Sequence, residues 1–199
     1  AASGPGVMPM AIESLFNHMI SAQDHTFALR LSCLEVYNES IVDLLASPDG
    51  PAPPAAGLSL RHDPRKGVSV CGLSEHEPRR ADDVFEMLER GNARRAVSET
   101  SANAASSRSH AVLQISLRRS ARASGVSDSI NMGKLTLVDL AGSERGSVSR
   151  NRGSTLHEGA NINRSLLALG NCINALSTGR RGSHVPFRDS KLTRLLQDS

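Results

Sequence analysis

Two segments of the chain carry residue types that could bind a nucleotide. The first is an apolar run over residues 135–138 that ends in Asp139 and continues Leu-Ala-Gly142. In nucleotide-binding α/β proteins a carboxylate at a strand tip can hold Mg²⁺, usually through water, and a glycine amide can approach a terminal phosphate. An Asp, a turn and a Gly are also an ordinary way for a strand to end. This segment alone therefore does not decide between the two interpretations.

The second segment is rich in hydroxyl groups. Residues 103–110 read Asn-Ala-Ala-Ser-Ser-Arg-Ser-His and come directly before a predicted strand. Adjacent hydroxyls can ligate Mg²⁺ or orient a water, and the guanidinium of Arg108 can pair with a carboxylate. A hydroxyl-rich loop with a capping serine is the structural alternative, and the segment taken alone favours neither.

The composition bounds the class of protein. Of the 199 residues, 39% are hydrophobic and 22% are charged, which is typical of a globular protein and excludes a disordered or collagenous one. No apolar run approaches the roughly 20 residues that span a bilayer, and residues 1–9 lack a secretory signal. We therefore expect neither a membrane protein nor an exported one.

The net charge of +3 is unevenly distributed along the chain. Residues 145–199 hold nine Arg or Lys against three acidic side chains, a net charge of +6, whereas residues 1–144 carry −3. A positive surface on a mildly acidic body suggests a polyanionic partner. Because the chain has no Trp and only one Tyr, it has little to stack on bases, and we expect no nucleic acid.

The three cysteines predict neither a disulfide framework nor a zinc site. Cys33, Cys71 and Cys172 are odd in number and far apart, and no C-x-x-C pair occurs. We expect reduced, mostly buried thiols, since a lone Cys usually behaves as a small hydrophobic side chain.

The elements that must position these segments follow from hydrophobic periodicity and from Gly and Pro. Helices are predicted over residues 9–20, 38–45, 81–90, 162–176 and 189–199, and strands over residues 26–37, 58–61, 67–71, 109–117 and 134–140. Gly91 should end the third helix and Gly179 the fourth. Four prolines make residues 47–57 a surface loop, and residues 120–129 form a polar linker between two strands. The alternation of helix and strand predicts a layered α/β sheet.

Taken together and in this order, the two segments resemble the two nucleotide-sensing switches of kinesin motor domains. Residues 161–170 are similar to the relay helix of that family, and residues 184–193 to its microtubule-binding loop and the helix that follows. Residues 34–45 resemble its E-x-Y-N-E turn and the Asp-Leu-Leu after it. The resemblance spans residues 6–199 and implies an α/β fold of the kinesin motor type, a central mixed β-sheet flanked by helices.

The resemblance implies ATP and Mg²⁺ as cofactors and assigns residues of the two switches to them. Ser107 would ligate Mg²⁺, and Asp139 would hold it through water. Asn103 would contribute to the nucleotide site, and the amide of Gly142 would sense the γ-phosphate.

Hydrolysis would depend on residues of the same two switches. Ser106 would help to position the attacking water, next to the γ-phosphate sensed by Gly142. Arg108 and Glu144 would form an ion pair that closes when ATP is present, and Glu144 would accept a proton by way of a second water.

The resemblance also places the basic excess on a surface that faces the microtubule. The residues on the loop after the second switch, the relay helix and the H-x-P-F-R loop are Arg145, Arg150, Arg152, Asn163, Arg164, His184, Arg188, Lys191 and Arg194. A second contact would come from the small predicted hairpin, through Arg61, Arg65 and Lys66. Tubulin is acidic, so the attraction should weaken with salt. Arginines that merely solvate helices are the alternative for any one of these positions.

The cradle that a kinesin needs for the phosphates of ATP is not found in these residues. A P-loop reads G-x-x-x-x-G-K-[ST], and the single Gly-Lys step, Gly133-Lys134, fails this pattern on both sides. The resemblance therefore implies a partial motor domain, truncated at both ends, with the P-loop upstream of Gly6 and the last strand, last helix and neck after Ser199. We expect such a fragment to turn over no ATP by itself. Its independent folding is doubtful, since a sheet that lacks strands exposes unpaired edges.

The sequence of residues 149–153 and 157–176 is most similar to that of kinesin-8 motors. This resemblance implies plus-end-directed movement on cytoplasmic microtubules and a dimer formed through a coiled coil outside these residues; depolymerisation of microtubules stays open. One alternative is a kinesin-related module that has lost nucleotide turnover and binds microtubules passively. Another is a fragment of a P-loop GTPase, which explains the Asp139 turn but not the pattern of residues 161–193.

Overall fold

The computed structural model describes residues 6–50, 52, 54–64, 67–97, 108–122, 130–142, 154–179 and 184–199. In chain order these residues form α1 (Val7–Ser21), β1 (His25–Tyr37), β2 (Ser40–Asp43), β3 (Leu60–Asp63), β4 (Gly67–Val70), α2 (Ala81–Val97), β5 (His110–Ala121), β6 (Asn131–Asp139), α3 (Ser154–Ser177), a 3₁₀ turn (Phe187–Asp189) and α4 (Lys191–Leu195). Within these ranges, no α-helix has the length and apolar character that a membrane span requires.

Strands β1, β2, β5 and β6 form the central sheet. They lie in the order β2-β1-β5-β6, and each of these pairings is antiparallel. Leu113 of β5 lies opposite Cys33 of β1 on one side and Leu137 of β6 on the other. Strands β3 and β4 pair separately as a two-stranded hairpin.

Alternate residues of the sheet pack against helices on its two faces. The face that packs against α1 and α2 is formed by Leu29, Leu31, Cys33, Leu113 and Ile115. On the opposite face, the buried residues that pack together with those of α4 are Leu34, Val36, Ile41 and Val112. Helix α3 joins this second cluster through Leu169. The predicted layered sheet, flanked by helices, is confirmed.

The helix predicted over residues 38–45 is wrong, because these residues form a tight hairpin turn and the short strand β2. Asn38 and Glu39 have φ angles of 48° and 57°, the left-handed pair that a two-residue hairpin turn requires. Ile41 then packs on the α4 side of the sheet, whereas Leu44 and Leu45 pack on the α1 and α2 side. The three side chains have helical spacing, but they serve two different layers.

Gly91 lies inside α2 and does not end it, so this predicted boundary is also wrong. The helix runs on to Val97. A Cβ at Gly91 would lie 3.5 Å from the Cβ of Leu44, an ordinary van der Waals contact, so α2 packs here against the residues that follow β2. The longer helix carries Arg95 to the end of the sheet.

The last helix is shorter than predicted at both ends. It begins at Lys191 because Ser190 and Thr193 form a capping box, and Glu39 Oε2 accepts a hydrogen bond of 2.9 Å from the Lys191 amide. It ends at Leu195, and the chain then turns so that the Asp198 carboxylate accepts a hydrogen bond from the Val68 amide.

Helix α3 begins at Ser154, eight residues before its predicted start, and the remaining boundaries differ by a few residues. β3 begins two residues later than predicted, since the Leu58 amide donates to the Ile41 carbonyl at 2.8 Å. β5 continues through Ser120, whose hydroxyl lies 2.7 Å from that of Thr26, to Ala121. The described residues of 47–57 lie in turns and irregular backbone. α3 ends before Gly179, which has a φ of 60°, as predicted.

The cysteines are free thiols, as the sequence predicts. Cys33 and Cys172 are buried, and Cys71 is partly buried. Burial, with a smaller contribution from the Asp43 carboxylate, raises the pKa of the Cys33 thiol to about 12. Cys33 is therefore an inert core residue.

Gly67, at the start of β4, should be a sensitive position for stability. Its φ is +77°, and a Cβ would overlap the Asp198 carboxylate. We expect Gly67→Ala to lower the free energy of unfolding by about 1–2 kcal/mol, the cost of the left-handed conformation for a residue with a Cβ. Thermal unfolding of the full-length protein measures this effect.

Gly170→Ala in α3 is the matched control. A Cβ at Gly170 meets nothing within 4 Å, and Ala is favoured over Gly in a helix by about 1 kcal/mol. The control should therefore unfold at the same or a higher temperature. Equal melting temperatures for the two variants would contradict the assignment of strain to Gly67.

Candidate switch site at the end of the central sheet

The site lies where β6 ends. Asp139 is the last residue of this strand, and its side chain is 60% exposed. Its Oδ2 accepts a hydrogen bond of 3.0 Å from Arg95 Nη1. Gly142 follows three residues later and is exposed. The carboxylate and the glycine predicted for the nucleotide therefore both lie at this end of the sheet.

Arg95 is the buried charge of the site, with 5% of its surface exposed. Its Nε donates to the Ser109 hydroxyl at 3.0 Å, and its Nη2 donates to the Ser109 carbonyl at 2.7 Å. The same Nε lies 3.5 Å from Oε1 of Glu35, which is also buried. A charge in this position must be paired and hydrogen-bonded, and Arg95 is both.

Strand pairing explains why these residues meet. Antiparallel neighbours place the start of one strand beside the end of the next. Ala111, near the start of β5, lies opposite Asp139, the end of β6, and also opposite Glu35, near the end of β1. Arg95, in the last turn of α2, contacts Glu35 of β1, Asp139 of β6 and Ser109, the residue before β5, at this one end of the sheet.

His110 makes a second buried network on the other face of the same strand ends. Its Nδ1 accepts a hydrogen bond of 3.0 Å from the Ala141 amide, and its Nε2 lies 2.8 Å from the Ser165 hydroxyl of α3. Burial, and after it the positive charge of Arg95, lowers the pKa of the His110 ring, while Asp139 raises it. The ring is therefore neutral at physiological pH.

Comparison with known proteins identifies the family. A model of the kinesin motor domain matches residues 1–199, the whole chain. The chain belongs to the kinesin motor domain family. Its relatives include Kinesin-like protein 5 of Schizosaccharomyces pombe, 50% identical over 196 residues, and Kinesin-like protein KIP3 of Saccharomyces cerevisiae, 48% identical over 200 residues. Both are kinesin-8 members.

These matches cover 98% and 99% of the chain but only 22% and 24% of the two relatives. The chain therefore spans about a quarter of their length. Among solved kinesin structures, KIF14 with ADP in complex with a microtubule has a TM-score of 0.86 at 36% identity and covers 100% of this chain. A fast kinesin has a TM-score of 0.81 at 41% identity and covers 98%. This chain covers 57% and 53% of those two structures, and the kinesin fold is confirmed.

Several of the predicted kinesin site residues lie outside the described residues. They are Asn103, Ser106, Ser107 and Glu144 in the two switches, and Arg65, Lys66, Arg145, Arg150 and Arg152 among the basic positions. Arg108 is described and is partly buried, two residues before β5. Its ion pair with Glu144 stays a prediction.

The other basic positions of the kinesin motif lie mainly on the α3 and α4 side. Asn163, Arg164, His184 and Arg188 are exposed, Lys191 and Arg194 are partly buried, and Arg61 is exposed on β3. Arg164 Nη2 donates to the Asp189 carbonyl at 3.3 Å, so α3 and the 3₁₀ turn are joined. The relay-helix and loop residues therefore share one layer, next to the hairpin that Asp198 ties to the end of the chain.

The sequence reasoning missed Arg95, Glu35 and His110 as site residues. Arg95 continues the buried stripe of Val84 and Gly91 along α2, and Glu35 continues the buried face of β1 after Cys33. A charged residue on an otherwise buried stripe was the available signal. It could show that each needs a partner but not that they partner each other.

Removal of the Arg95 guanidinium should be costly. In Arg95→Met the Glu35 carboxylate stays buried without this cation, and breaking a buried pair in this way costs roughly 3–5 kcal/mol. Arg95→Met with Glu35→Gln should recover part of that loss, because the buried negative charge is gone. Urea unfolding of the full-length protein measures both free energies.

Arg94→Met is the matched control. Arg94 is adjacent on α2 and partly buried, and its one side-chain hydrogen bond to a described residue is a long one, 3.4 Å from Nη1 to the Leu44 carbonyl. The control should lose about 1 kcal/mol or less. The importance of the buried pair is refuted if Arg95→Met and Arg94→Met are equally stable.

Proposed function

We propose that this chain is the switch and track-binding part of an ATP-dependent microtubule motor. The observation that carries the proposal is the Arg95 network, which joins the start of β5 to the end of β6 and leaves the Asp139 carboxylate 60% exposed. The two nucleotide-sensing segments of the sequence adjoin these strand ends. Kinesin family membership supports the same activity.

The residues at the strand tip fit Mg²⁺. Mg²⁺ prefers oxygen ligands and is usually held by one or two carboxylates together with substrate phosphates and water. Asp139 offers such a carboxylate, held on one side by Arg95 and open on the other. Within the described part of the chain, no three His, Cys, Asp or Glu side chains form a group that could hold a metal ion by themselves. We infer that Asp139 holds Mg²⁺ through water and that Ser107 ligates it.

The remaining nucleotide contacts follow the kinesin motif. Asn103 and the Gly142 amide would bind ATP, and Ser106 would orient the attacking water. Mg²⁺, when bound, neutralises charge on the phosphate oxygens. Arg108 would pair with Glu144 when ATP is present, and Glu144 would accept a proton through a second water.

Glu144→Ala tests the assignment of the hydrolytic base in the full-length protein. We expect ATP still to bind but steady-state turnover to fall about 100-fold or more, the usual contribution of a positioned general base. Glu77→Ala is the control, since Glu77 is 72% exposed and pairs only with the exposed Arg30 among the described contacts. Nucleotide binding and phosphate release are measured for both variants. Unchanged turnover in Glu144→Ala would refute the role of Glu144.

The partner proposed for the basic layer is the microtubule. The exposed Arg164 and Arg188 and the partly buried Lys191 and Arg194 lie on elements that pack against each other. The solved structure of KIF14 in complex with a microtubule supports this partner. Localisation to the cytoplasmic microtubule cytoskeleton, and a dimer formed outside these residues, belong to the same proposal.

Arg188→Glu should weaken microtubule binding of the full-length protein. We expect an increase in Kd of about tenfold at low salt and a smaller one at high salt, because the screening length falls from about 10 Å at 0.1 M to about 3 Å at 1 M. Arg90→Glu makes the same charge change on α2, in the opposite layer of the sheet. Cosedimentation with microtubules measures both. Equal loss of binding in the two variants would place the interface elsewhere.

The kinesin-8 assignment extends this proposal. The similarity to KIP3 and to KIF18B of Mus musculus, 50% identical over 197 residues, agrees with the resemblance to kinesin-8 motors, from which we infer plus-end-directed movement. Gliding of polarity-marked microtubules over the full-length protein tests the direction. A protein that binds microtubules but shows no ATP turnover would instead be the passive binding module.

A further inference from the structure

His110 connects the tip of β6 to helix α3. Ala141, whose amide donates to His110 Nδ1, directly precedes Gly142, the residue proposed to sense the γ-phosphate. Ser165, whose hydroxyl meets His110 Nε2, lies on α3 one residue after Arg164, part of the proposed track-binding layer. One side chain therefore contacts both the nucleotide end of the sheet and the track-facing helix.

The protons of this chain of hydrogen bonds can be arranged in only one way. The Ala141 amide is a donor, so His110 Nδ1 must be an acceptor and the ring proton must lie on Nε2. Nε2 then donates to the Ser165 hydroxyl at 2.8 Å, and that hydroxyl donates to the Ile162 carbonyl at 2.8 Å. Each group has one role, so the contact is directional and specific.

The residues of this hydrogen-bond network are also buried. His110 is 2% exposed, Ser165 is 3% exposed and Ala141 is 4% exposed. A break at either end would leave a buried polar group without its partner, which is more costly than the loss of the hydrogen bond itself. The strand tip and the helix are therefore held to move together.

We propose that His110 is a positioning residue that couples the tip of β6 to α3, so that the state of the nucleotide sets the position of the track-binding helix. The inference rests on the proposed motor function. It predicts that substitutions in this hydrogen-bond network change how strongly microtubules stimulate ATP turnover. A merely structural role would instead lower turnover equally with and without microtubules.

Two serines of α3 provide a matched pair for the test in the full-length protein. Ser165 and Ser177 each donate to the carbonyl three residues earlier, at 2.8 Å and 2.9 Å, but only Ser165 also meets His110. Ser165→Ala should lower the ratio of microtubule-stimulated to basal ATPase about fivefold, the effect of one hydrogen bond of ordinary net strength. Ser177→Ala should leave the ratio unchanged.

Two variants of His110 test its hydrogen bonds at Nδ1 and Nε2 separately. His110→Asn keeps an acceptor near Nδ1 for Ala141 but loses the group that meets Ser165, whereas His110→Gln keeps a donor near Nε2. Ser165→Ala should therefore lower the ratio further in the Gln background and have no added effect in the Asn background.

The coupling is overturned if Ser165→Ala and Ser177→Ala give the same ratio, or if Ser165→Ala acts equally in both His110 backgrounds. In either case a normal ratio in the unmodified protein leaves the motor function standing. Absence of stimulation in the unmodified protein overturns the proposed function and this inference with it.

Discussion

The burial of the Arg95 guanidinium is the constraint around which the end of the sheet is organised. A charge removed from water costs several kcal/mol unless it is paired and hydrogen-bonded. Arg95 meets this requirement through Glu35 of β1, Ser109 before β5 and Asp139 of β6. The register of the sheet, the length of α2 and the position of the β6 tip are therefore linked through one side chain.

The tip of β6 is held from both faces of the sheet by hydrogen bonds that also involve Ser109 and His110, where β5 begins. Ser109 and His110 are consecutive, and successive residues of an extended chain face opposite sides. Arg95 in the α2 layer donates both to Ser109 and to Asp139 at the tip, and His110 joins Ala141, just after the tip, to Ser165 in the α3 layer. A carboxylate held so firmly, yet 60% exposed, is suited to a site where a ligand is sensed.

The charge distribution of the chain has a structural counterpart. The described basic residues of its last third lie on α3, the 3₁₀ turn and α4, on the face of the sheet opposite α1 and α2. Membership of the kinesin motor domain family accounts for the presence of such a layer beside the strand tip that is proposed for the nucleotide. The two proposed functions are thus assigned to different places: ATP turnover to the end of the sheet, and track binding to the helices on one of its faces. The hydrogen bonds of His110 join the two places.

The sequence by itself determined the motifs, the layered fold and the long elements such as β1 and α3, because these depend on local periodicity and residue type. The predictions for residues 38–45, for Gly91 and for the extent of the last helix were wrong. Spacing alone cannot show which layer a side chain packs in or at which residue a helix is capped. Only the tertiary structure decided the partners of Arg95 and His110. The charge of Arg95 and the ring nitrogens of His110 were visible in the sequence, but their hydrogen bonds join residues that are far apart along the chain. Because both side chains are buried, the loss of any of these partners would be costly.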